Sequence, residues 1–335
     1  MTPGRATIAI MLGIFATAAA AAPASLETYM ALQGPPPDKI LRYGDAPSQK
    51  VELFLPAGQG PFPVAVLLHG GCWNSRYEGL PQLHAMAAGF ARQGIAVWNV
   101  EYRRVDEAGG GYPGTYRDVD AAIDLLVRTA PDVGIDTGRV VAVGHSAGAQ
   151  LALWAAARAR RPVGSPLAVH DSPRAPLRIP HVVSLGGLLD LQRDADAIRD
   201  ACGLDVATLT GPVDATLTGP ADATLTGPAD ATLTGPADAT LTGPADAVRP
   251  DIYADTSPAA MLPTGVDVVT INGAQDGVAP PELARRFATR ATRAGDRVRT
   301  IVIPDAGHFD EVMPAAPVWP VLLAVVREAL GMTPR

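Results

Sequence analysis

The chain has 335 residues, 47% hydrophobic and 18% charged, with a formal net charge of −7 at pH 7. That length suffices for one large domain with a substantial buried core. The acidic balance and the lack of any basic stripe exclude nucleic acid from the expected partners.

Residues 1–24 read as an export signal. Arg5 supplies the positive start, Ile8 to Ala22 is an unbroken small and apolar run, and Ala22-Pro23-Ala24 offers a cleavage site before Ser25. The run falls short of the roughly 20 residues a membrane span needs. No cysteine follows it to carry a lipid. The expectation is therefore a cleaved signal, no stable membrane insertion, and a mature protein in the periplasm or the medium. Residues 25–335 read as one catalytic domain.

Apolar runs bounded by Gly or Pro predict strands over Val51–Leu55, Val64–His69, Ala96–Val100, Val140–Val143, Val182–Leu185, Val268–Ile271 and Arg299–Ile303. Helical patterns cover Leu83–Arg92, Thr115–Arg128, Gly148–Arg158, Pro281–Ala294 and Val318–Leu330. The alternation predicts an α/β fold: a mostly parallel central sheet with helices on both faces. Ligands of such sheets sit beyond the carboxyl ends of the strands.

In chain order, the first motif at such an end is His69-Gly70-Gly71-Cys72-Trp73. Paired glycines let a backbone approach substrate and aim N–H groups at a developing oxyanion. Gly71 and Cys72 are the candidate donors, with Ala147 as the third. Trp73 is a candidate wall of the acyl site, with a core anchor as the equal alternative. Glu101-Tyr102-Arg103-Arg104 ends another strand and reads as structural ion pairing. Asp118, Asp120 and Asp124 are expected on a solvated helix face.

The most specific signal is Val140-Val141-Ala142-Val143-Gly144-His145-Ser146-Ala147-Gly148. A β-branched run enters Gly-x-Ser-x-Gly and leaves through helix-forming residues. This is the context of a nucleophile elbow, a strained strand-to-helix turn that exposes the serine Oγ. A serine hydroxyl is a poor nucleophile alone, so Ser146 requires a base and an acid to orient that base.

Residues 188–262 are expected to form a cap insertion. Within it, Thr208–Ala247 is five tandem copies of Thr-Leu-Thr-Gly-Pro-x-Asp-Ala. A proline every eight residues interrupts helix and ladder alike, and one leucine per copy buries too little to offset ordering entropy. The repeats read as a tolerated surface insert rather than an adhesive element. Asp214, Asp222, Asp230, Asp238 and Asp246 lack the glycines and neighbouring acids of a calcium loop. No metal-ligand spacing or nucleotide fingerprint occurs, so no metal and no cofactor is expected. Cys72 and Cys202 are read as free thiols, with the disulfide that export would permit as the alternative.

The base must come from six histidines. His69 and His145 belong to glycine motifs, His84 to a helix, His170 to a Pro- and Arg-rich loop, and His181 to a strand start. His308, in Asp305-Ala306-Gly307-His308-Phe309, follows the final strand, where a loop can lean over a central elbow. The acid is expected between serine and histidine in sequence. Asp276 follows the strand Val268–Ile271 and is the candidate, with Asp190 as competitor. Asp267 and Asp296 read as solvated turn residues.

With His69-Gly70-Gly71-x-Trp73, Gly144-x-Ser146-x-Gly148, Asp276 and Gly307-His308 in this order, the chain resembles the α/β-hydrolase superfamily. More narrowly it resembles the esterase/lipase branch, which includes carbohydrate-acyl esterases and kynurenine formamidase (arylformamidase). The resemblance covers Val51 to Leu330 apart from the repeats. Ala149 replaces a glycine frequent in the branch, and Ala279-Pro280 stands where Val-Pro is common. The resemblance implies a serine hydrolase with the triad Ser146, Asp276 and His308, and the expected substrate is a small-molecule carboxylic ester with a small acyl group. The alternatives are an amide hydrolase of the arylformamidase or peptidase type, and a non-enzymatic hydrolase-like binding scaffold.

Overall fold

The computed structural model describes residues 22–77, 79–168, 176–211 and 251–333. The apolar run of the export signal, His170, and the repeats beyond Gly211 lie outside the described residues.

The run Phe62–Leu68 (β3) shows why the sheet lies in the interior. Val64, Val66 and Leu68 join one buried cluster, while Ala65 and Leu67 join a second on the opposite face. Successive side chains of a strand point to opposite faces, so a run apolar at every position is a strand covered on both. The other strands are β1 (Lys39–Arg42), β2 (Lys50–Phe54), β4 (Ala96–Val100), β5 (Ile135–His145), β6 (His181–Leu185), β7 (Asp267–Gly273) and β8 (Val298–Ile303). They form one eight-stranded sheet in the order β1-β2-β4-β3-β5-β6-β7-β8. β1, β2 and β4 pair antiparallel, and every other neighbouring pair is parallel.

The helices divide between the two faces. Helices α3 (Gly114–Val133), α4 (Ala147–Ala156) and α7 (Pro281–Ala294) feed the first cluster with Tyr116, Leu126, Trp154 and Phe287. Helices α2 (Leu80–Ala91) and α8 (Val318–Ala329) feed the second with Leu83, Phe90, Leu322 and Val326. The molecule has the α/β-hydrolase architecture, with β5 near the middle of the sheet.

Four elements lie outside the sequence expectations. β1 is an exposed edge strand with too few apolar residues to stand out. Helix α1 (Leu26–Met30) follows the expected signal cleavage point and is capped by Ser25, whose Oγ accepts the Thr28 N–H at 3.1 Å. Helices α5 (Ala195–Cys202) and α6 (Val206–Thr210) lie in the segment expected as a cap, and α6 runs into the first repeat.

The thiol expectation is corrected: Cys72 and Cys202 form a disulfide, with 5.5 Å between their Cα atoms. A sequence separation of 130 carries no pairing signal. The fold supplies it by turning the end of α5 at left-handed Gly203 and docking it on the glycine loop. There Arg76 Nη2 donates to the Cys202 carbonyl at 2.8 Å.

The aspartates of α3 are not a solvated face. Asp118 is buried and receives the Arg103 N–H and guanidinium, while Asp120 and Asp124 pair with Arg161 and Arg158. That face packs under the loop after β4 and the end of α4, which helical periodicity alone does not reveal. Asp296 is likewise buried, accepting from Thr264 and Gly265, and Asp267 starts β7, paired with Arg297.

Candidate active site

The elbow begins with close packing. A Cβ at Gly144 would lie 2.3 Å from the Gly148 carbonyl oxygen, and one at Gly148 would lie 2.1 Å from that of Leu68. Only glycine lets β5, β3 and α4 approach so closely. Between them Ser146 has φ 53° and ψ −120°, a conformation costly for a residue with a Cβ. Its N–H donates to the Leu185 carbonyl at 2.8 Å, which fixes the turn against the end of β6.

His308 lies after β8, at the head of a 3-10 turn over Phe309–Val312. Asp276 lies after β7. His308 Nδ1 donates to Asp276 Oδ2 at 2.8 Å, and both side chains are buried. Asp276 Oδ1 accepts the N–H groups of Val278 and Ala279 at 2.8 and 2.7 Å. An ionised carboxylate only accepts, so the neutral imidazole carries its proton on Nδ1 and leaves Nε2 basic. The competitor Asp190 is engaged elsewhere, by Arg290 and Arg193.

Ser146 and His308 line one cavity of about 110 Å³ at the carboxyl ends of the strands. Gly71, Cys72, Tyr77, Ala201, Val278, Phe309 and His145 complete it, with Leu26 and Tyr29 from α1. A larger depression of about 400 Å³ lies at the opposite, amino ends of β6, β7 and β8, remote from these groups. The smaller cavity is the one that holds a nucleophile and a base.

The glycine loop is shaped by three successive residues of positive φ: Gly71 at 107°, Cys72 at 54° and Trp73 at 52°. Helix α4 starts at Ala147, where first-turn N–H groups have no acceptor within the helix. Gly71, Cys72 and Ala147 are thus brought to the same site. The loop is held from below by a buried network. His69 Nδ1 donates to the Gly70 carbonyl at 2.7 Å, and its Nε2 meets Glu101 Oε1 at 2.7 Å, where Arg104 also binds. Burial opposes ionisation of Glu101. His69, Arg104 and the Tyr102 amide outweigh it and hold the carboxyl below its usual range.

Trp73 is not a wall of the acyl site. It is fully buried, with Nε1 donating to Gln150 Oε1 at 3.2 Å, so it pins the loop to α4. His145 is also structural: its Nε2 donates to the His308 carbonyl at 3.0 Å. Burial, with His308 beside it, lowers its pKa well below the usual histidine value.

Sequence reasoning missed two contributions. One is the α1 wall, which only tertiary docking places here: Tyr29 stacks on Phe309 at 5.1 Å. The other is Glu311, three residues beyond His308 and buried. Its Oε1 accepts the Gly273 N–H at 2.8 Å. Burial first, then the neighbouring Asp276, push its carboxyl well above the usual range. In sequence it is an ordinary acid in a turn.

The sheet, elbow and carboxyl-end cavity define an esterase-like α/β-hydrolase. Residues 51–290 match the BD-FAE family, and the chain belongs to that family. Over 111 residues it is 29% identical to a protein described as "Probable isoprenylcysteine alpha-carbonyl methylesterase ICMEL1" of Arabidopsis thaliana. That match covers 33% of this chain and 22% of the plant protein. Among solved structures, esterase B of Lactobacillus Rhamnosis superposes with a TM-score of 0.65 at 18% identity, covering 91% of this chain and 89% of that one. A bifunctional GH43-CE protein of Bacteroides eggerthii gives 0.62 at 20% identity, covering 86% of this chain and 37% of that one. Esterase LipW of Mycobacterium marinum gives 0.59 at 20%, with 87% and 80% covered. These structural likenesses establish the fold. Among the described residues, no helix is long and apolar enough to cross a membrane.

Proposed function

We propose that the protein is an exported serine esterase that cleaves carboxylic esters with small acyl groups through an acyl-enzyme. The observation that carries the reading is the 2.8 Å bond from His308 Nδ1 to Asp276, with His308 and the elbow Ser146 lining one cavity. His308 Nε2 takes the Ser146 proton as Oγ attacks the ester carbonyl carbon. The tetrahedral oxyanion is held by the amides of Ala147 and of Gly71 or Cys72. Collapse expels the alcohol, which receives the proton from His308. Water then attacks the acyl-serine with His308 again as base, and the acid leaves. Asp276 stays ionised and holds the imidazole in the Nδ1–H tautomer.

Among the described residues, those lining the cavity include no Lys, Arg, Asp or Glu, which favours a small uncharged acyl group over a charged one. The methylesterase description of the plant relative and the esterase descriptions of the structural neighbours support an ester rather than an amide. Export is supported by the amino-terminal run and by the disulfide, a bond of oxidising compartments.

Hydrolysis of p-nitrophenyl acetate by the wild type and by S146A tests the reading. The variant should lose about a thousandfold or more in kcat. No turnover in the wild type, or equal turnover in both, would refute it. Amino-terminal sequencing of the exported protein should begin at Ser25.

A further inference from the structure

Glu311 is a buried carboxyl for which the proposed chemistry has no use. It projects from the 3-10 turn Phe309–Val312 and is 1% exposed. Its Oε1 takes the N–H of Gly273, the last residue of β7. Its Oε2 is buried, and no N–H or O–H donor among the described residues reaches it. A Cβ placed at Gly186 would lie 2.5 Å from this Oε2 and 2.8 Å from His308 Nδ1, so the two atoms converge on one point. The titratable groups facing Glu311 are Asp276 from the loop after β7, His308 and Asp310 from its own segment, and His145 from the end of β5. Two carboxylates cannot both stay ionised at such a site without a cation between them. The lower-energy arrangement leaves one proton on the pair. Asp276 accepts from two amides at Oδ1 and from His308 at Oδ2, so its oxygens already serve as acceptors.

We propose that Glu311 is a positioning residue: a neutral carboxylic acid whose Oε2–H donates to the Asp276 carboxylate and so fixes the acceptor that orients His308. Its effect on catalysis rests on the esterase reading, whereas its protonation state does not. Burial and the Asp276 charge shift the Glu311 carboxyl in the direction this requires.

The variants E311Q and E311L separate the roles. An amide reproduces both bonds, accepting from Gly273 and donating to Asp276, whereas leucine reproduces neither. A carboxyl whose folded pKa is raised lends stability that is present below its unfolded value and lost as pH rises. E311Q should therefore melt above the wild type at pH 8, the gap closing toward an unfolded glutamate value of about 4.3. It should keep kcat for p-nitrophenyl acetate within about fivefold, while E311L loses at least about tenfold in kcat with KM little changed.

Melting of E311Q below the wild type at pH 8, or a kcat loss in E311Q beyond about tenfold, would overturn the proposal. Both criteria stand if E311L fails to fold. If the wild type does not hydrolyse the ester, the rate of Ser146 labelling by a fluorophosphonate replaces kcat. The melting comparison is unaffected, so failure of the esterase reading is distinguishable from failure of this one.

Discussion

Ser146 is held in a strained turn because its neighbours have no side chains, and the cost of that turn falls on Gly144 and Gly148. Gly148→Ala would drive a methyl into the Leu68 carbonyl at 2.1 Å. It should destabilise the protein by about 3 kcal/mol or more, read as a fall in thermal midpoint. Asp276→Asn keeps the shape of the acid but lets His308 adopt the wrong tautomer. A loss in kcat of about ten-thousandfold is expected, with KM little altered. Glu101 offers a pH test. Its carboxyl is held below the usual range, so its stabilisation is present above the unfolded value of about 4.3 and is lost as pH falls through the folded value. Glu101→Gln should melt lower than the wild type at pH 7, and the difference should shrink on acidification. A difference constant from pH 7 to pH 3 would assign the effect to packing alone. At this scale the sequence was readable where a motif names its own geometry, as at Ser146 and His308. It was not readable at Glu311, Asp118 or Asp296, whose meaning is the company they keep in space.

Two elements link the cavity to distant parts of the chain. The Cys72–Cys202 bond ties the end of α5 to the glycine loop across 130 residues. Loops of that size give a disulfide roughly 3–5 kcal/mol in the chain-entropy account. Cys72→Ser with Cys202→Ser should therefore lower the thermal midpoint. It should also lower kcat more than it raises KM, because the bond tethers the loop that carries the proposed oxyanion amides. Unchanged kcat in the double variant would show that the loop holds its shape without the disulfide. Helix α1 is the other link. The Ala24 N–H donates to Asp310 Oδ2 at 3.1 Å, and Leu26 stands half exposed at the cavity mouth. Cleavage before Ser25 would remove the Ala24 bond but leave the wall. The strands of the sheet interior and the five long helices were legible because both faces of each strand and one face of each helix are apolar. β1, α1, α5 and α6 were not, because each is short and takes its stability from what it docks on.

For the molecule as a whole, the tandem repeats are the largest block of sequence to which the proposed mechanism assigns no residue. Deletion of two or three whole octapeptides from Thr208–Ala247 should leave ester turnover within a few-fold, since removing whole copies of a tandem insert changes the entropy of chain closure only slightly. Loss of turnover would show that they form part of the substrate site. The sequence by itself determined the alternation of strand and helix, the elbow, the order Ser146, Asp276, His308, and the glycine loop. These depend on local pattern and on backbone rules that a few adjacent residues impose. Only the tertiary structure decided the disulfide, the burial of Trp73 as an anchor, the α1 wall of the cavity and the second carboxyl beside Asp276. Each is a meeting of segments remote in the chain, and the free energy of such a meeting comes from shared burial that no single segment records.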